Sequence, residues 1–219
     1  MPNTSDPLLT GIRGVHRALT RALSVLAEES RRFGELADVE KKTTEGFRLF
    51  AHTYCDLLHA HHDGEEEIGF TRLQETLPRD AIATLTRQHH GMLQAHHAMQ
   101  TLVAAPIPWP RETWQGIHRV ATSLMPEWTV HRDAEERWIA EASQALSPAE
   151  RAALAKDLEA HGMAHAGPGP LVVPFILYNL AGKDREEMGA LFPFVLKAIL
   201  VPYLWRGRYK PMLPFLCPR

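Results

Sequence analysis

Apolar residues return every three or four positions along most of this chain. No stretch alternates apolar and polar residues long enough to make a strand. A chain with that period buries its apolar surface through the faces of helices. Four long stretches carry the pattern. The first spans about residues 6–33, with Leu9, Ile12, His16, Leu19, Leu23 and Leu26 on one stripe. The second spans about 43–77, carries Phe47, Phe50, Tyr54, Leu57, His61 and Ile68, and stops before Pro78. The third, about 79–104, aligns Ile82, Leu85, His89, Met92, His96, Met99 and Val103 before the prolines at 106, 108 and 110. The fourth, about 111–146, aligns Trp114, Ile117, Ala121, Leu124, Trp128, His131, Glu135, Trp138 and Ala142, and Pro126 is expected to kink or split it.

Four amphipathic helices of this length, joined by short polar or proline-rich segments, predict an all-α fold. The expected architecture is an antiparallel up-and-down four-helix bundle over residues 1–146. Residues 147–219 read as a C-terminal helical extension packed on it. Its first helix is announced by Ser147-Pro148-Ala149-Glu150, a capping box with proline in the first turn. Two apolar segments follow, 171–182 and 190–205, interrupted by Pro174, Pro193 and Pro202. Both fall short of the ~20 apolar residues a membrane-spanning helix needs, so they are expected to cover the bundle. A competing reading puts Trp205, Arg206, Arg208 and Lys210 at a lipid boundary. The His161–His165 pair, next to Gly167-Pro168-Gly169-Pro170, is expected in a loop.

A formal net charge of -2 gives no basic excess, which argues against nucleic acid as a partner. The opening residues lack a basic stretch followed by an unbroken apolar run, so no secretory leader is expected and the location expected is cytoplasmic. Cys55 and Cys217 are too few for a disulfide framework, which fits a reducing compartment. The 13 histidines stand out against this ordinary background.

Several of them come with carboxylates. A histidine and a glutamate four residues apart on a helix lie within about 6 Å, so both can reach one metal ion or a bridged pair. The stretch His61-His62-Asp63-Gly64-Glu65-Glu66 pairs His61 with Glu65 and, one step round, His62 with Glu66; His131-Arg132-Asp133-Ala134-Glu135-Glu136 pairs His131 with Glu135. Both leading histidines fall on inward stripes. Two buried glutamates without partners would cost on the order of several kcal/mol each, and a cation removes that penalty. Bundle cores hold di-iron and di-manganese sites in this way, and imidazole with carboxylate suits iron.

On these motifs the chain resembles the hemerythrin-like family, whose cation-binding domain carries histidine–histidine–glutamate motifs on a four-helix bundle. The resemblance covers about residues 8–146, and the proline-broken tail is similar to C-terminal extensions of bacterial members. It implies that His16, His61, His89 and His131 are terminal ligands and that Glu65 and Glu135 bridge two iron ions, with zinc the competing metal. One residue off the inward stripe, His62 and Glu66 read as groups that orient the ligands by hydrogen bonding. His90 replaces His89 if the helix boundary moves by one residue; His96, two turns past His89, is a core or orienting histidine. Oxygen carriers of the family place a second histidine one turn after the first in the third helix, where this chain has Leu93. That vacancy implies an open coordination position and, with it, peroxide turnover. The alternatives are reversible dioxygen or nitric oxide binding or sensing, and a non-enzymatic iron-binding helical module.

Overall fold

The computed structural model describes residues 6–217. It is helical throughout, and no strand forms among the described residues. The first five residues of the stretch read for a leader, and the last two of the extension, lie outside the described residues. Helix α1 (Pro7–Gly34) starts where the Asp6 side chain accepts hydrogen bonds from the Leu8 and Leu9 amides, with Pro7 in the first turn. Next come α2 (Lys41–Gly64), a π-helical turn (Glu65–Gly69) and the short α3 (Phe70–Leu73). Helices α4 (Arg79–Val103) and α5 (Arg111–Ser143) complete the long elements.

The second expected helix is therefore not one continuous α-helix. The amide of Phe70 bonds the carbonyl of Glu65, five residues back. This wide turn shifts the stripe by one position, so Phe70 and Leu73 are buried while Ile68 is only half-buried. In α5, by contrast, Pro126 neither ends nor splits the helix. Pro126 and Thr122, whose carbonyl the missing amide would have bonded, are both exposed, and water can satisfy that carbonyl. The stripe of α5 leaves the expected track near its end, where Ile139 is buried and Trp138 half-buried.

Helix α1 packs against α5 and α2, and α4 packs against α5 and α2. Buried side chains from these helices form two apolar clusters. The larger includes Leu19, Leu23, Phe47, Phe50, Leu58, Met92, Trp114 and Leu124. The smaller includes Leu8, Ile12, Phe70, Leu73, Leu85 and Ile139. On each long helix the residues between the two clusters are polar and buried, namely His16, the His61–Glu65 turn, His89 and the His131–Glu135 turn.

The extension begins with α6 (Pro148–His165), entered through a complete Ser147/Glu150 capping box. Arg151 donates to the carbonyls of Ser143 and Leu146 at the end of α5 and pairs with Asp6 at 2.8 Å, tying three helix ends together. His161 and His165 belong to this helix rather than to a loop, because the Gly167–Pro170 punctuation acts only after it. Then come α7 (Gly169–Tyr178), α8 (Gly182–Leu191), a π-helical segment (Leu196–Leu204), α9 (Arg206–Tyr209) and a 3-10 segment (Lys210–Phe215). Arg21 on α1 holds the Asn179 side chain and donates to the Phe215 carbonyl at 2.8 Å. Phe215 itself is 3 % exposed and sits against Phe33, Phe47 and Phe50, a burial contributing about 1.5–3 kcal/mol. Phe194, Val195, Ile199, Tyr203 and Leu204 form an exposed apolar face on the later part of the extension. No single helix among the described residues is long and apolar enough to cross a membrane.

Candidate metal centre

The polar layer between the two apolar clusters is built from four elements. Helix α1 supplies His16, α2 with its π-helical turn supplies His61, His62, Glu65 and Glu66, α4 supplies His89, and α5 supplies His131, Glu135 and Glu136. His16, His131 and Glu135 are completely buried, and Glu65 and His89 nearly so. The ligand atoms of His16, His61, Glu65 and Glu135 lie within 4.8 Å of one another, and those of His62, His89 and His131 form a second such group.

The two carboxylates connect the groups. Glu135 Oε2 stands 3.1 Å from His16 Nε2 and 3.3 Å from His131 Nε2. Glu65 Oε1 is 3.0 Å from His61 Nδ1, and its Oε2 is 3.5 Å from His89 Nε2. Despite these approaches, both oxygens of Glu65 and of Glu135, and the Nε2 atoms of His16, His61 and His62, are buried and not aligned for any hydrogen bond. Buried polar atoms normally find partners. The two groups of mutually close ligand atoms could each hold a metal ion.

The outward nitrogens are occupied instead. His16 Nδ1 donates to Glu136 at 3.0 Å, His89 Nδ1 to Glu66 at 2.7 Å, and His131 Nδ1 to Gln88 at 3.2 Å. With a metal ion bound, a proton kept at Nδ1 would leave the Nε2 lone pair to face inward and would fix the ring; otherwise His89 and His131 share a hydrogen bond between their Nε2 atoms at 3.2 Å. Each glutamate pair divides its labour in the same way: the first carboxylate enters the layer, and the second holds a histidine of a neighbouring helix. Apolar rings close the layer, with the Trp128 ring edge-on to His16 at 5.5 Å and Phe70 stacked over His89 at 5.8 Å.

Electrostatics follow from this crowding. Burial pulls His16 down, but the charge and close approach of Glu135, with Glu136 and Glu65, outweigh it and hold its pKa at about 10. Burial pushes the Glu135 carboxyl up, and His16 and His131 more than reverse this, leaving it well below the usual range. His62 goes the other way: burial, reinforced by the positive charges of His89, His61 and His131, holds it well below its ordinary value. A neutral His62 is ready to donate to a cation.

His16, His61, Glu65, His89, His131 and Glu135 thus meet in one layer. His62, expected to orient a ligand, lies within a donor group because its ring stacks flat on His89. Glu66 hydrogen-bonds His89. His90 is exposed and takes no part. His96 is buried away from the layer, donating to the Cys55 carbonyl at 3.0 Å and stacking on His59. Leu93 is 37 % exposed and does not border the layer, because the buried stripe of α4 steps from His89 to Met92 and His96. The vacancy inferred at Leu93 is therefore not a feature of the site. Glu136 and Gln88 were not singled out in the sequence. Glu136 had a signal, since it occupies in one motif the place Glu66 occupies in the other; Gln88 had none. The chain matches no family model, no curated protein and no solved structure.

Proposed function

We propose that α1, α2, α4 and α5 form an antiparallel four-helix bundle and that the polar layer holds a pair of iron ions bridged by Glu65 and Glu135, in the manner of hemerythrin-like proteins. The order of the apolar clusters supports the bundle. Along α1 and α4 the chain passes from the smaller cluster through the layer to the larger, and along α2 and α5 it passes in the opposite sense. One observation carries the metal reading: ligand atoms of His16, His61, Glu65 and Glu135 lie within 4.8 Å of one another, and both oxygens of each of these carboxylates are buried without a hydrogen-bond partner. Five imidazoles and two carboxylates exceed the four ligands one zinc takes, and their mixture suits iron.

The function that best fits such a centre is binding and turnover of small oxygen species, with peroxide the preferred substrate. A redox-active pair would supply, when bound, the two electrons that reduce one peroxide to water and would recover two from a second peroxide, which leaves as dioxygen. The protein's own groups do the rest. Glu66, Glu136 and Gln88 orient the histidines, and Trp128 and Phe70 cover the rings of His16 and His89. If both carboxylates are shared by the two ions, the His16–His61 side has two histidines where the other has three, which favours that side for a small ligand.

A second reading, reversible binding or sensing of dioxygen or nitric oxide, is favoured by His62, which supplies a donor where the sequence suggested a gap. Titration with ferrous iron under air, followed by added peroxide, separates them. Turnover predicts an oxo-bridge absorption band and catalytic loss of peroxide; reversible binding predicts the band with recovery of the deoxygenated spectrum under argon. Absence of any iron-dependent band would refute both.

A further inference from the structure

A cavity of about 320 Å³ lies between α1, α2, α6, α7 and α8, and its lining includes both His61 and Glu65. Its walls are apolar, formed by Ile12, Val15, Leu57, Leu158, Ile176 and Phe192 among others, while Lys156 and Glu159 mark an exposed rim. Glu65 is almost fully buried and carries two unpartnered oxygens, so the polar end of the cavity is the inner one. Three of the five helices around it belong to the extension. The extension therefore does more than cover apolar surface: with the long helices it encloses a chamber beside the polar layer.

Dioxygen and peroxide have two heavy atoms and need no such chamber. Its volume is about twice that of a ~150 Å³ apolar cavity known to accept benzene, and it falls at the lower end of the range of small-molecule sites. The cavity meets the layer on the His16–His61 side, the side with fewer histidines. We propose that this chamber binds one apolar organic molecule, an alkyl or aryl compound with a single polar end, and presents that end to the metal centre at His61 and Glu65. Apolar walls favour the hydrocarbon part by removing it from water, and a single polar wall sets its direction. The placement of the chamber stands on its own; only the destination of the polar end rests on the metal reading.

Gly162 gives a clean way to fill the chamber. It lines the cavity on α6, and a Cβ built there meets no atom within 4 Å, so a larger side chain enters open space without a backbone collision. Ala155, half-buried on the same helix, also lines the cavity and gives an independent block.

The test is calorimetric titration of the full-length protein with 1-octanol, in metal-free and iron-loaded forms, for the wild type, Gly162→Leu and Ala155→Phe, with circular dichroism confirming the fold of each variant. The expected result is one saturable site per chain in both forms of the wild type, weakened about tenfold or more in both variants, with iron content unchanged. In the loaded wild type, the absorption of the centre should change with the same midpoint as binding. Absence of saturable binding, or undiminished binding in both folded variants, would overturn the proposal. An unchanged spectrum on saturation would overturn the contact with the centre. Octanol binding that the variants block in a protein taking up no metal would support the chamber and refute the metal reading; iron uptake without octanol binding would do the reverse.

Discussion

The imidazole of His62 lies flat on that of His89, with ring centroids 4.0 Å apart and planes 14° from parallel. Stacking brings both rings to the side of the layer that His131 reaches from α5, and ligand atoms of the three lie within 4.8 Å of one another. His62→Ala should therefore lower iron content after anaerobic reconstitution. His90→Ala, at the exposed neighbouring position, should leave it unchanged. If His62→Ala retains full iron, His62 is not a ligand.

The two glutamates of each motif should differ in kind. Glu65→Ala or Glu135→Ala removes a carboxylate from the layer and should abolish stable metal binding. Glu66→Gln or Glu136→Gln loosens only the grip on His89 or His16 and should weaken affinity by about 10–100-fold. Competition with a calibrated chelator measures both effects. Equal losses at all four positions would contradict the division of roles.

The metal-free protein should carry a pH signature of His16. Its folded pKa of about 10 lies above the ordinary 6.5, so its protonation stabilises the fold fully below about 6.5, and that contribution fades as pH rises through about 10. Denaturant unfolding of metal-free wild type and His16→Gln across this window should show the stability difference shrinking as pH rises. A difference that does not change with pH would show that His16 is not held protonated by Glu135 and its neighbours.

The extension's hold on α2 can be tested at Gly46. A Cβ there would lie 2.2 Å from the carbonyl oxygen of Pro211, a backbone atom that cannot yield without moving the 3-10 segment. Gly46→Ala should cost about 1–3 kcal/mol in unfolding free energy. It should leave iron content intact, because Gly46 lies fifteen residues, or about 22 Å of helix, from His61. Gly91→Ala, exposed and with no atom within 4 Å of its Cβ, is the control and should be neutral or mildly stabilising. Equal melting temperatures for the two variants would mean the 3-10 segment does not pack on α2 as described.

Much of the helical framework was legible in the sequence, because a stripe such as Leu19, Leu23 and Leu26 repeats for many turns and errors do not accumulate. Local departures were not legible. The π-helical turn at Glu65–Gly69 is made of glutamates, isoleucine and glycine that fit an α-helix equally well, so the burial of Phe70 in place of Ile68 had no signal. His62 reads as an orienting group rather than a donor because periodicity tracks where a residue sits on the helix surface, whereas a ring extends several ångströms sideways and can stack on a neighbour. Leu93 shows the converse: the stripe of Leu85, His89, Met92 and His96 already left it off the inward face, and only the resemblance put a ligand position there. An orienting role for Glu66 was legible from its motif, and the matching place of Glu136 extended it, but which histidine each holds depends on contacts between helices that no spacing within one helix encodes.

The proposed layer holds two irons that share carboxylates, and a shared carboxylate couples their spins. The most direct measurement is the Mössbauer spectrum of protein loaded anaerobically with isotopically enriched ferrous iron and then exposed to air, with iron counted in the same sample. Close to two irons per chain and a coupled diferric pair with a diamagnetic ground state are expected, both lost in Glu65→Ala. One iron per chain with a magnetically isolated spectrum, or a single tightly held zinc and no iron uptake, would contradict the shared pair.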